Sequence, residues 1–182
     1  MQKTALGLIL AAFFSAGVVH AEIKPADVIS APLNITGMLR TSSTGCTVVL
    51  SKETVALTHD VSQMSGQSDV EVIPDAAVGI RITGDNECYQ RLAQNQLAYK
   101  FYGTPDSAEG NVLANTDTSE GAAQGVGVRL SDESNRLIAI STGTLQATSS
   151  ESFLRMSLVK LSGQQATAGS VKSTLTVQVE QL

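Results

Sequence analysis

The chain has 182 residues, a formal net charge of −5 and a sequence pI of about 4.9. That acidic balance, with no basic run anywhere, argues against a nucleic-acid binder. Charged residues supply 16% of the chain and aromatics 4%. With Thr, Ser, Gly, Val and Ala carrying much of the rest, the composition suits short strands and turns rather than long helices.

Residues 1–21 read as a signal peptide. Lys3 gives a positive start, residues 5–16 form an apolar and small-residue run, and Val19 and Ala21 stand where signal peptidase accepts small side chains. The run is too short to span a bilayer. Cleavage would start the mature chain at Glu22 and place it outside the cytoplasm. Residues 22–32 carry Pro25 and Pro32, show no helical period and read as an extended arm. Residues 33–40 form the first core strand, 41–45 a turn, and 46–50 and 54–57 two further strands. Residues 62–67 are loop, 77–82 alternate as a strand, and 84–87 turn just before Cys88. Residues 89–96 are the one stretch that reads as a short helix or a loop. Residues 97–103 are a strand rich in aromatics. Residues 105–120 are loop with a short strand at 111–114, and 125–130 form a glycine-containing strand of close backbone contacts. A turn at 131–135 leads into the apolar run 136–140. Residues 152–161 alternate again, and 163–169 turn into the terminal strand, 171–182. Many short strands separated by turn signals predict one antiparallel β-sandwich domain.

The terminal strand is the most regular. Val171, Leu175, Val177 and Val179 share one face with Ser173, while Lys172, Thr174, Thr176, Gln178 and Glu180 share the other, the period of a half-buried strand. The sequence ends on it, which leaves a strand edge that invites pairing. The arm is a segment able to provide such pairing, so the residues point to a subunit completed by its neighbour.

Cys46 and Cys88 are the two cysteines of the chain. In an exported protein they are expected to form one disulfide, locking the first two core strands and contributing roughly 4 kcal/mol in the chain-entropy model. Zinc is poorly served by two distant cysteines and His59. Gly121 to Gly127 lacks the lysine and following helix of a phosphate loop. His59 beside Asp60 has no nucleophile elbow to serve and reads as a solvated loop residue. The acidic residues between Asp106 and Glu133 lack calcium-loop spacing and read as a solvated face. No catalytic residue, cofactor or metal is expected.

Three segments resemble the pilin subunits of chaperone–usher fimbriae, closest to the type 1 family. Residues 33–39 (LNITGML) leading to 45–48 (GCTV) are similar to that family's first strand and first cysteine. Residues 121–132 (GAAQGVGVRLSD) are similar to its A-x-G-[VL]-G-[IV]-x-L-x-[DN] stretch. Residues 153–156 (FLRM) and 166–177 (ATAGSVKSTLTV) resemble its C-terminal end. The sequence departs from the pattern at Gln181, where the family usually has tyrosine, at Leu154 and Met156 flanking Arg155, and in an arm without a central glycine.

The resemblance implies an incomplete immunoglobulin-like antiparallel β-sandwich, completed by a donor strand from a neighbouring subunit. The expected division is a signal peptide at 1–21, a donor-strand extension at 22–33 and a pilin domain at 34–182. Ile23, Ile29, Ala31 and Leu33 lie on one face of the arm, Ala26 and Val28 on the other, and either face could enter a groove. Val171, Leu175, Val177, Val179 and Leu182 would border the groove and bind a periplasmic chaperone, with the Leu182 carboxylate held by basic chaperone residues. An outer-membrane usher would then exchange that chaperone for the next subunit's arm, placing the protein in a cell-surface fimbrium that supports adhesion. The rival reading is a self-complete secreted sandwich that binds a ligand, as an adhesin does.

Overall fold

The computed structural model describes residues 28–36 and 45–182. The expected signal peptide and residues 22–27 of the expected arm, Ile23 among them, therefore lie outside the described residues. Among the described residues ten strands and one α-helix follow one another: β1 Val28–Thr36, β2 Cys46–Leu50, β3 Thr54–Asp60, β4 Ala76–Gly84, α1 Asn86–Ala93, β5 Leu97–Gly103, β6 Leu113–Ala114, β7 Val126–Ser131, β8 Thr144–Gln146, β9 Ser152–Lys160 and β10 Ser173–Gln181. They form two five-stranded sheets, one in the order β3-β1-β10-β5-β8 and the other β2-β4-β9-β7-β6. The fold is an all-β sandwich, as the strand periodicity predicts.

Alternation along the strands builds the core. Leu33, Leu57, Tyr99, Phe101 and Leu175 from one sheet face Val78, Ile80, Leu130, Leu154 and Met156 from the other, and each is no more than 1% exposed. Burying each such side chain stabilises the fold by about 1.5–3 kcal/mol before the entropy of ordering is subtracted. Gly127 lies where β7 is crossed closely. A Cβ there would stand 2.8 Å from the Leu113 carbonyl oxygen and 2.9 Å from Val112 Cγ2, so only glycine fits without displacing that neighbour.

The chain from Cys46 to Asp60 changes sheets at its middle. β2 pairs with β4, and β3 pairs with β1. The bend between them is tied down at Ser51, whose N–H donates to the Gly79 carbonyl (2.8 Å) and whose Oγ accepts from the Gly79 N–H (2.9 Å).

Several elements differ from the sequence expectation. The helix begins three residues early, at Asn86, because the Asp85 carboxylate caps it by accepting the Cys88 N–H at 2.9 Å. Cys88 thus sits on α1, and the disulfide joins the start of β2 to this helix rather than to a second strand, with the Cα atoms 5.3 Å apart. The run 136–140 makes an irregular crossing in place of a regular strand. Its amides reach three different places, Ile138 to the Leu130 carbonyl, Ile140 to that of Asn111, and Ser141 beyond it to that of Phe101. β8 lies in a stretch with no apolar alternation, since Leu145 alone is apolar and packs partly buried against the core.

Candidate functional site: the outer edge of the terminal strand

β10 is held unequally on its two sides. On one side β5 pairs antiparallel with it from Leu175↔Gly103 through Gln181↔Leu97. On the other side β1 pairs in parallel over a short stretch, Leu33↔Ser173 through Thr36↔Thr176. Among the described residues no strand pairs with residues 178–181 on that second side.

The period of two fixes what this open stretch presents. The Leu182 N–H donates to the Gln96 carbonyl at 2.9 Å, on the β5 side. In an antiparallel ladder a residue points both its N–H and its C=O the same way, and its neighbours point theirs oppositely. The amides and carbonyls of Val179 and Gln181 therefore face a side on which the described residues place no strand, while the Val177 N–H is taken by the Thr36↔Thr176 pairing. Backbone groups left facing an open edge can pair with another strand.

The side chains add an apolar floor. Val171, Leu175 and Val177 are fully buried, Ser173 nearly so, and Val179 is partly buried against the core. The opposite face carries a polar ladder. Lys100 Nζ lies 3.2 Å from Glu180 Oε2 and 5.7 Å from the centre of the Tyr102 ring, while the Tyr102 hydroxyl donates to Glu180 Oε1 at 2.9 Å. The hydrogen bond to Glu180, helped by Tyr102, holds the Lys100 pKa above its usual value.

The far end of β10 is latched to α1. Arg91 Nη1 donates to Gln181 Oε1 and Arg91 Nη2 donates to Glu87 Oε1, one turn earlier on the helix. Gln181, the position at which the sequence departs from the pilin pattern, thus has a defined partner. Leu182 itself is 65% exposed. α1 is in turn fastened by Cys88, and the surroundings of that bridge are tight. Gly45 adopts φ +63°, and a Cβ on it would fall 2.2 Å from Asp85 Oδ2, so the residue before Cys46 must be glycine for both conformation and space.

The structure brings Leu33, Leu175, Val177 and Val179 to one sheet, whereas β10 starts only at Ser173 and leaves Val171 buried just ahead of it rather than on the expected strand. Val28, Ile29 and Ala31 lie on β1, opposite Asp60, His59 and Leu57 of β3, and Leu33 is buried between β3 and β10. β1 runs without a break through the expected boundary at residue 33. Pro32 can sit there because it meets Ala56 on one side only among the described residues.

Sequence reading missed the latch residues. The Glu87–Arg91 spacing of four and Asp85 three residues ahead of Cys88 are the signals that place them on a capped helix. It also missed three buried carboxylates in what looked like a solvated acidic face. Asp106 accepts the N–H groups of Ala108, Glu109 and Val112, Asp132 those of Ser134 and Arg136, and Asp117 that of Ser119. His59 is likewise no solvated loop residue. Its Nδ1 lies 2.6 Å from Asp75 Oδ1, joining β3 to the approach of β4. Among the described residues no group of three or more His, Cys, Asp or Glu side chains is placed to hold a metal ion.

A family model described as Fimbrial protein matches residues 33–181. No curated protein matches the chain.

Proposed function

This chain belongs to the fimbrial protein family, and from that premise we propose that it polymerises by donor-strand complementation. As a fimbrial protein it is a structural subunit of a surface pilus that associates with other pilus subunits, in a family that is generally not enzymatic. In the proposed mechanism the outer edge of β10 accepts an extended segment from another molecule. A periplasmic chaperone supplies that segment first, contacting β10. At an outer-membrane usher the arm of the next subunit, residues 22–33, replaces it, and the finished fibre supports adhesion. This is recognition by strand addition, in which main-chain hydrogen bonds give affinity and alternate side chains give specificity.

One observation carries this reading. The amides and carbonyls of Val179 and Gln181 face a side on which the described residues place no strand. A second observation favours the rival, self-contained sandwich, because Val28–Thr36 already sits within the chain's own sheet. The two readings part on a deletion. A mature chain lacking residues 22–32, which keeps the buried Leu33, is expected to aggregate alone and to become soluble with an added peptide of residues 22–33. A stable monomer that ignores the peptide would establish the self-contained sandwich instead.

A further inference from the structure

We propose that Arg91 is a positioning residue for strand acceptance, holding the end of β10 extended as a template for the incoming segment. The proposal rests on the strand-acceptance reading above.

The end of β10 is where order is hardest to keep. Gln181 and Leu182 are exposed, and the described residues pair them on the β5 side alone. Ends held in this way fray. Two contacts oppose fraying: the Leu182 N–H to the Gln96 carbonyl, and the Arg91 guanidinium to the Gln181 side chain. Arg91 is itself held in place, because Glu87 takes its other terminal nitrogen and α1 is bound to β2 through Cys88.

Neither Arg91 nor Gln181 belongs to the hydrophobic core. A bond between two side chains at the surface contributes little to global stability. Its effect falls locally, on residues whose backbone groups point to the open side. Fixing them beforehand removes part of the ordering cost that a partner strand would otherwise meet on binding.

The test uses the full mature chain, its Arg91→Ala, Arg91→Lys and Gln181→Ala variants, and a fluorescent peptide of residues 22–33. Amide exchange is read residue by residue, alongside the rate of peptide uptake. Arg91→Ala is expected to speed exchange at Gln181 and Leu182 and slow uptake about three- to tenfold, the range of one lost hydrogen bond. The unfolding midpoint and exchange in β5 and β9 should not change. Gln181→Ala should match it, the double variant should add nothing further, and Arg91→Lys should recover part of the rate. Unchanged exchange at Gln181 and Leu182, uptake at the parent rate, or a loss that comes with a lowered midpoint would each overturn the assignment. Failure of the parent chain itself to take up peptide would instead remove the strand-acceptance reading, and this assignment with it.

Discussion

Arg129 shows how much of this molecule depends on single side chains meeting distant backbone. It lies on β7, 3% exposed, and donates to the carbonyls of Gln67 (3.3 Å), Asp69 (2.6 Å) and Asn135 (3.1 Å). Burial lowers its pKa and nearby Asp69 partly offsets that. Arg129→Ala should therefore release two loops at once and cost about 2–4 kcal/mol in urea unfolding. The disulfide should weigh similarly. Replacing Cys46 and Cys88 together by serine is expected to lower unfolding free energy by up to roughly 4 kcal/mol, and reductant should have no added effect on that variant. Asp106 and Asp132 set the acid limit. Burial raises their pKa values, but hydrogen bonds, with the Arg136 ion pair at Asp132, outweigh it and leave both below the usual 3.8. Their contribution is complete above the unfolded-state value, near pH 4, and is lost as pH falls through the depressed ones. Urea midpoints should hold level down to about pH 5 and fall below pH 4, and Asp132→Asn should flatten part of that fall. The cysteine pair was legible because two cysteines leave only one possible pairing. The carboxylate roles were not, because an acidic residue in a loop reads as solvated until its amide partners are brought to it.

At the level of the element, β10 makes the sharpest claim, since odd and even residues face different neighbours. Val179→Pro removes an N–H from the open side, where an edge tolerates proline. It is expected to cut peptide uptake at least tenfold while leaving the pattern of NMR cross-peaks in β5 intact. Gln178→Pro removes one that serves β5, and the same spectrum should collapse. Long strands were readable because burial on one face imposes a period of two that Leu175, Val177 and their neighbours display. β8 was unreadable for the same reason in reverse, since two of its three residues are exposed. The crossing at 136–140 looked like a strand because Leu137, Ile138 and Ile140 are apolar. The amides of Ile138 and Ile140 serve separate partners, and apolar content alone does not separate a ladder from a path through the interior.

For the molecule as a whole, the sandwich class followed from strand number and turn spacing, whereas the order of strands did not. The parallel pairing of β1 with β10 joins segments near opposite ends of the sequence, and no local pattern encodes such a contact. The placement of the arm's apolar residues was out of reach too, because Pro32 suggested a break where β1 continues. Removing residues 173–182 should leave β1 and β5 without the strand between them. That truncated chain is expected to lack a cooperative urea transition, while one shortened only by Leu182 should keep it.

The central position of β10 in its sheet also bears on when the protein can fold. A polypeptide made amino end first delivers β1 and β5 well before the piece that fits between them. Until β10 arrives, β1 and β5 can pack against the facing sheet but lack the strand that joins them within their own. Completion of that sheet, and with it the cooperative transition, waits on the strand that is synthesised last of the ten described.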